Sequence, residues 1–264
     1  MSVKGFDRYK QLYKNISNWQ EYTFHKSERK KRPLEFITRP HPIHFEVPES
    51  LYQVFKEIFM EDFYEAEKLM AKLPPNPVVI DVGANAGFFN VLLFSKLKTA
   101  RVFAYEPLAS NIELFRKTIE RNNAMKNINL KQAAVTGSDK DSIELFTEDT
   151  EDNTVVSSIF AGFNKLNQKK ISVPARSLTS IIQENNFEKV DLLKLDCEGS
   201  EYDIIYNTDA VVLKKVNAMV IEVHQIDEDQ NNLNSLNQYL KSLGYNTRSM
   251  PVQEGSFYME ALKN

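Results

Sequence analysis

The chain has 264 residues, which suits one α/β domain with an N-terminal extension better than two full domains. Its net charge of −3 gives no overall field that would attract nucleic acid or an anionic membrane, so we expect no nucleic-acid partner. The one cysteine, Cys197, excludes an intrachain disulfide and favours a reducing, cytoplasmic environment. No secretory leader is visible, and no apolar run reaches the roughly eighteen residues of a membrane span. Nothing in the sequence indicates the oligomeric state.

The chain divides by composition into two parts. Residues 1–73 are predicted to form a partly helical extension, and residues 74–264 the main domain. Apolar residues recur at helical spacing from Leu51 to Leu73, which predicts one helix there. A proline-rich stretch, residues 74–77, ends that helix and leads into the main domain.

From residue 78 onward, strand and helix patterns alternate in chain order, with an insertion predicted at about residues 138–175. The predicted strands are 78–82, 101–105, 128–135, 142–146, 170–174, 190–195, 218–223, 245–250 and 256–262. The predicted helices are 87–97, 110–121, 177–184, one that begins at 201, and 232–243. Ser110 and Glu113 have the spacing of a capping box at the start of the second of these helices. We therefore expect an α/β fold: a Rossmann-like, mostly parallel seven-stranded sheet with helices on both faces and an antiparallel strand in the C-terminal hairpin.

The segment Val-Val-Ile-Asp-Val-Gly-Ala-Asn-Ala-Gly-Phe-Phe at residues 78–89 reads as a buried strand, a tight turn and a helix start. Asp81 lies near the end of the strand, and Gly83 and Gly87 allow a sharp turn and a close backbone approach. In open α/β sheets, ligands bind beyond the carboxyl ends of the strands, beside a helix N-terminus. This turn therefore indicates a site for a nucleotide-like cofactor.

Glu106 ends the next predicted strand, nineteen positions after Gly87. A carboxylate there can accept hydrogen bonds from both hydroxyls of a ribose, which NAD and S-adenosylmethionine both carry. The turn has a G-x-x-x-G spacing rather than the G-x-G-x-x-G of a dinucleotide site, and Asp81 would repel a pyrophosphate. S-adenosylmethionine instead carries a sulfonium and an ammonium group. The pattern favours the methyl donor, and an NAD-dependent oxidoreductase stays open as the alternative.

A second group of charged residues follows the fourth strand of the sheet. Strand alternation places Lys194 and Asp196 on one face, and Glu198 comes in the next turn. Charges at the end of a central strand are costly unless they are paired or used. Glu201 has a simpler explanation, since an acid in the first turn of a helix is stabilised by the helix dipole.

The fifth strand of the sheet ends in Glu222, Val223 and His224. Glu222 and His224 lie on the same side of the strand, at the edge where Asp196 also lies. His224 could act as a general base on a hydroxyl, with Glu222 orienting it. Alternatively, Asp196, Glu222 and His224 could hold a divalent metal ion, or His224 could be an ordinary hydrogen-bonded loop histidine.

Taken together, these motifs resemble the FkbM-type family of S-adenosylmethionine-dependent methyltransferases. The resemblance rests on V-I-D-V-G-A-N-A-G-F-F, on A-Y-E-P with Asn111 after it, on L-K-L-D-C-E-G-S-E and on I-E-V-H. It implies the class I methyltransferase fold and O-methylation of a small-molecule or glycan acceptor, such as a polyketide or a sugar hydroxyl.

The resemblance also implies roles for individual residues. Those implied to bind the donor are Asp81, Gly83, Ala84, Asn85, Gly87, Glu106, Pro107, Asn111, Ala134 and Asp196. The candidates for catalysis come instead from the shared sheet edge: His224 as the base, Asp196 or Glu198 assisting it, and Lys194 and Glu222 beside them. The family pattern itself does not decide which residue is the base. A binding module that keeps the donor pocket without turnover is a further alternative.

Overall fold

A computed structural model of the chain describes residues 3, 5–25, 32–147, 157–158 and 169–263. The N-terminal region contains two helices, a hairpin, a short 3-10 turn at Glu49–Leu51 and two more helices. Their bounds are α1 Asp7–Asn15, α2 Gln20–His25, β1 Leu34–Ile37, β2 His44–Val47, α3 Tyr52–Phe59 and α4 Ala66–Met70.

The described residues from 78 onward form the two larger sheets and six α-helices. The strands are β3 Val78–Val82, β4 Arg101–Glu106, β5 Ile128–Gln132, β6 Ala134–Thr136, β7 Ser142–Thr147, β8 Ser157–Ser158, β9 Lys169–Ser177, β10 Leu192–Leu195, β11 Ala218–His224, β12 Tyr245–Gln253 and β13 Ser256–Lys263. The helices are α5 Phe88–Lys96, α6 Ala109–Arg121, α7 Leu178–Glu184, α8 Glu201–Asn207, α9 Ala210–Leu213 and α10 Leu233–Ser242.

The main sheet has seven strands in the order β12-β13-β11-β10-β3-β4-β5. Only the two pairs that involve β13 are antiparallel, and the other four pairs are parallel. The predicted α/β fold with a single antiparallel strand in the C-terminal hairpin is therefore confirmed. The carboxyl ends of β3, β4, β10 and β11 meet at one edge of this sheet.

Apolar side chains cover both faces of the main sheet. On one face, Val79 and Val220 pack with α5, α6 and the N-terminal region. On the other face, Ile80 and Ile221 pack with α7, α8 and α10. Successive strand residues thus point to opposite cores, which explains the continuous apolar runs in the central strands.

The N-terminal region packs directly on the main sheet's helices through an aromatic cluster. The ring of Phe36 stacks on Phe55 with centroids 4.5 Å apart, and Phe45 meets Phe88 of α5 edge-on at 5.6 Å. This extension therefore shares one core with α5. None of the described helices is both long and apolar enough to cross a lipid bilayer.

Three predicted elements differ from the structure. The predicted single helix at 51–73 is broken between α3 and α4, where Asp62 and Glu65 adopt the left-handed conformation with φ of 51° and 46°. The predicted strand 128–135 is divided between β5 in the main sheet and β6, which pairs with β9 in a smaller sheet. The capping box is also wrong, because α6 has no side-chain cap and Glu113 pairs with Lys117 at 2.8 Å.

The predicted insertion does contain an antiparallel pair, β7 with β9. Most of the predicted loop between these strands, residues 148–156 and 159–168, lies outside the described residues.

Candidate active site

The glycine turn after β3 is held against two neighbouring elements. Gly83 has a φ of +71°, and a Cβ atom there would lie 1.8 Å from the backbone oxygen of Asp196. Gly87 has a φ of +82°, and its Cβ atom would lie 2.2 Å from the ring of Phe115. Both positions therefore require glycine, and at both the crowding comes from the protein itself.

Asp81 lies beneath this turn in a fully buried ionic contact. Its carboxylate accepts a hydrogen bond from Asn90 Nδ2 at 2.6 Å, and its Oδ1 lies 3.0 Å from Lys194 Nζ. Lys194 also donates to the backbone oxygen of Gly83 at 2.8 Å. Burial alone would lower the pKa of Lys194, but the charges of Asp81 and Asp196 outweigh it and raise that pKa, so the lysine stays charged. The ion pair of Asp81 and Lys194 therefore holds the glycine turn in place through the hydrogen bond to Gly83.

Glu106, at the end of β4, faces the turn from the neighbouring strand. One carboxylate oxygen accepts the backbone N–H of Asn85 at 2.9 Å, and the other accepts Leu108 N–H at 3.0 Å and Asn111 Nδ2 at 3.3 Å. Burial raises the pKa of Glu106 to about 7, against the effect of these donors. A carboxylate has about four acceptor sites, so the group can still accept a hydrogen bond from a ligand.

Asp196 follows β10 and is held by two donors on the same oxygen. Tyr64 of the N-terminal extension donates its hydroxyl to Oδ2 at 2.8 Å, and Lys194 Nζ lies 3.4 Å from that atom. Burial opposes ionisation of Asp196, but Lys194 and the Tyr64 hydrogen bond prevail and lower its pKa. Asp196 is therefore an anion near neutral pH.

His224 ends β11 among three carboxylates. Its Nδ1 lies 3.1 Å from Glu201, and its Nε2 lies 3.4 Å from Glu198 and 3.7 Å from Glu222. Glu201 also accepts the backbone N–H of His224 at 2.9 Å and that of Gly199 at 2.8 Å. Burial would lower the pKa of His224, but Glu201 and the other carboxylates raise it to about 10. The imidazole is therefore protonated near neutral pH.

The two carboxyl groups beyond His224 differ from a typical exposed glutamate. Burial raises the pKa of Glu198 to about 8, and burial together with the charge of Asp196 raises that of Glu222 well above its usual value. Ser256 donates its hydroxyl to Glu222 at 2.6 Å. Glu198 adopts the left-handed conformation with a φ of 52°. These acids hold protons more readily than free carboxyls do.

The metal alternative is not supported in the part of the chain that the structure describes. No group of three His, Cys, Asp or Glu side chains there is arranged to hold a metal ion. Both ring nitrogens of His224 lie near carboxyl oxygens, at 3.1 Å from Glu201 and 3.4 Å from Glu198.

A cavity of about 940 Å³ lies along this edge of the sheet. The predicted residues that line it are Gly83, Asn85, Glu106, Pro107, Asn111, Ala134, Asp196, Glu198, Glu222 and His224. The other four, Asp81, Ala84, Gly87 and Lys194, are absent from its lining and support the turn and β10. At one end the cavity is also lined by Val54 and Glu57 of α3 and by residues of the β12–β13 turn.

Sequence reasoning missed several residues that shape the site. No strand-end pattern marks Tyr64, Asn90 or Ser256 in the sequence. Each contributes through a hydrogen bond to an acid of the site: Tyr64 to Asp196, Asn90 to Asp81 and Ser256 to Glu222. The sequence explains Glu201 by helix-start chemistry, whereas the structure buries it fully against His224. Its place as the last acid of L-K-L-D-C-E-G-S-E is the sequence signal that points to the site.

Three features define a class I methyltransferase fold and site: the strand order of the main sheet, the glycine turn after β3, and Glu106 at the end of β4. The family described as "Methyltransferase FkbM domain" matches residues 81–247, well over half of the chain. The protein belongs to the FkbM methyltransferase family, and it is a methyltransferase. This confirms the resemblance that the motifs indicate. It also excludes the alternative that the protein is an NAD-dependent oxidoreductase.

Relatives of the protein differ greatly in length. The chain is 27% identical over 200 residues to the AMB antimetabolite synthetase AmbE of Pseudomonas aeruginosa, covering 65% of this chain but only 9% of AmbE. It is 24% identical over 195 residues to methyltransferase sdnD of Sordaria araneosa, covering 64% of this chain and 73% of that protein.

A solved structure of methyltransferase FkbM from Methylobacillus flagellatus KT is similar over 81% of this chain and 55% of that chain, with 14% identity and a TM-score of 0.47. Because this similarity is low, the fold assignment above rests on the strand order of the protein itself.

Proposed function

We propose that the protein is an S-adenosylmethionine-dependent O-methyltransferase that acts on a hydroxyl group of a sugar, a glycan or a small natural product. The observation that carries the proposal is the continuity of one cavity from Glu106 to the cluster of Asp196, Glu198, Glu222 and His224. Such a cavity would hold a nucleoside donor at one end and present its methyl group to an acceptor at the other.

The donor end is supported by its polar groups. In this proposal Glu106 accepts the two ribose hydroxyls, one at its open acceptor site and one in place of the long 3.3 Å contact with Asn111. Ala133, Ala134 and Val135 flank the adenine. Gly83 and Asn85 lie beside the methionine part of the donor. Membership of a methyltransferase family supports the same donor.

The charge of the site also suits this donor. Two buried cations, Lys194 and the protonated His224, lie among Asp81, Asp196, Glu198, Glu201 and Glu222. Of these acids, Asp196 both lines the cavity and has a lowered pKa that keeps it charged. A sulfonium or an ammonium group beside it would therefore be favoured, whereas the phosphates of a dinucleotide would be repelled.

Methyl transfer to a hydroxyl is an in-line displacement in which the acceptor also loses its proton. Positioning of the two reactants can supply about 7–11 kcal/mol of the barrier, and a general base adds roughly 10²–10⁴-fold. We assign the base to the unit formed by His224 and Glu198, whose facing atoms lie 3.4 Å apart. Glu198 has the pKa closer to neutrality, about 8, and His224 supplies the balancing charge.

The test is transfer of a labelled methyl group from S-adenosylmethionine to a panel of monosaccharides, glycans and small polyols, with products identified by mass spectrometry. The expected product is a base-stable methyl ether, and Glu106→Gln should abolish its formation while the exposed Glu113→Gln on α6 should not. Loss of the base-catalysed rate in Glu198→Gln would identify Glu198 as the proton acceptor, and its loss in His224→Gln would show that the paired charge is required. Donor binding with no methylated product across the panel would contradict the proposal and favour the non-catalytic binding module.

A further inference from the structure

Tyr64 ties the side chain of Asp196 to the N-terminal extension by a hydrogen bond. Its hydroxyl donates to Asp196 Oδ2 at 2.8 Å across 132 positions of sequence. The side chain is almost fully buried, and its ring packs edge-on against Phe89 at 5.0 Å and Phe63 at 4.8 Å. The phenol therefore has a fixed direction.

The segment that carries Tyr64 is strained on both sides. Asp62 and Glu65 are non-glycine residues in the left-handed conformation, with φ of 51° and 46°. Such strain persists only where the surroundings enforce it, and it concentrates at functional sites. Here Asp62 accepts the backbone N–H of Ala66 at 2.8 Å, and Glu65 is paired with Arg248 of β12 and with Lys68. The break in the predicted helix thus turns the Tyr64 side chain toward the sheet edge.

Asp196 is placed where a donor would need an anion. Its backbone oxygen is in contact distance of Gly83, since a Cβ atom on Gly83 would lie 1.8 Å from it, and Asp196 lines the cavity. An acid beside this turn can bind the ammonium group of the donor's methionine part. Burial keeps the pKa of Tyr64 well above its usual value, so its hydroxyl remains a hydrogen-bond donor throughout the physiological range.

We infer that Tyr64 is a positioning residue of the donor site: the N-terminal extension holds the Asp196 carboxylate in the orientation that binds the cationic end of the methyl donor. This inference rests on the proposed S-adenosylmethionine site. If Tyr64 has this role, the N-terminal extension contributes a residue to the donor-binding site.

The test compares Tyr64→Phe with Tyr258→Phe by calorimetric titration with S-adenosylhomocysteine, which needs no acceptor. Tyr258 is a matched control because it is a buried tyrosine on β13 near Phe63, and its hydroxyl has no hydrogen-bond partner among the described residues. Tyr64→Phe keeps the ring packing but removes a hydrogen bond to a charged group, which should weaken binding about tenfold or more. Tyr258→Phe should bind as the wild type does.

Two further readouts separate positioning from a loss of structure. In an Asp196→Ala background, Tyr64→Phe should cause no further loss, because it acts through the missing carboxylate. The loss of affinity in acid should also set in at a higher pH in Tyr64→Phe, because the tyrosine hydrogen bond lowers the pKa of Asp196. Equal affinity of the two phenylalanine variants, or an additive loss with Asp196→Ala, would overturn the inference. No heat from the wild type would instead overturn the donor site itself, and this inference with it.

Discussion

Among single residues, Gly83 is the most constrained by what surrounds it. Alanine there would need a left-handed backbone and would place Cβ against the Asp196 oxygen, so we expect the free energy of unfolding to fall by about 3 kcal/mol or more. Gly244 has a φ of +93° but no atom within 4 Å of the added Cβ, so Gly244→Ala should cost only about 1–2 kcal/mol. Chemical denaturation measures both. Equal losses would show that the Asp196 contact adds nothing to the backbone strain.

His224 gives the second prediction at this scale. Its pKa is about 10 in the folded protein and near 6.5 in the unfolded chain, so the native state binds the extra proton. Its contribution to stability is therefore complete below pH 6.5 and is lost as the pH rises toward 10, by up to about 1.4 kcal/mol per pH unit. We expect the free energy of unfolding of the unliganded protein to decrease over that interval.

The imidazole signal of His224 can be followed directly by NMR, because the chain has only four histidines and His224→Gln removes one signal. The predicted midpoint is about 10. A midpoint near 6.5 would show that the surrounding carboxylates do not hold the proton. The imidazole would then be mostly neutral at pH 7 and able to act as the general base.

The residue scale also shows what sequence could and could not reveal. Asp81, Glu106, Asp196 and His224 were found because parallel strands bring their carboxyl ends to one edge. The same logic cannot find Tyr64, whose link to Asp196 depends on how an irregular turn packs on the sheet. Strand position also does not tell which carboxylates pack against His224, so the sequence cannot predict the charge state of its imidazole.

At the scale of elements, Asn232 controls the start of α10. Its side chain accepts the backbone N–H of Ser235 at 2.9 Å. Asn232→Ala should lower the free energy of unfolding by about 1 kcal/mol, whereas Asn232→Ser keeps an acceptor oxygen at the cap and should preserve part of it. Both variants lose the hydrogen bond that Asn232 Nδ2 donates to the backbone oxygen of Asp229. Thermal or chemical unfolding distinguishes them, and equal stability of the alanine and serine variants would show that the cap contributes nothing.

Element boundaries were predictable where a cap or a strand period marks them. The helix starts predicted at 177 and 232 fall on the capping residues Ser177 and Asn232, one residue before α7 and α10 begin. The predicted helix at 51–73 failed because apolar periodicity continues through the Asp62–Glu65 turn while the backbone does not. The prediction of one strand at 128–135 is wrong because both halves are extended and the sequence does not show that they pair with different strands, β5 with β4 and β6 with β9.

At the scale of the whole molecule, the N-terminal extension and α5 share one apolar core. A chain that begins at residue 74 would expose the faces that Phe45 and Phe55 now cover, so we expect it to aggregate or remain unfolded. Circular dichroism and size-exclusion chromatography check this. A monomeric truncated chain with a cooperative unfolding transition would instead establish residues 74–264 as an independent domain.

The most direct test of the whole account is a crystal structure with S-adenosylhomocysteine bound. The account predicts that the two ribose hydroxyls lie within hydrogen-bond distance of the Glu106 carboxylate, and that the amino group lies beside Gly83 and Asp196. A nucleoside bound outside this cavity, or one whose ribose does not contact Glu106, would contradict it.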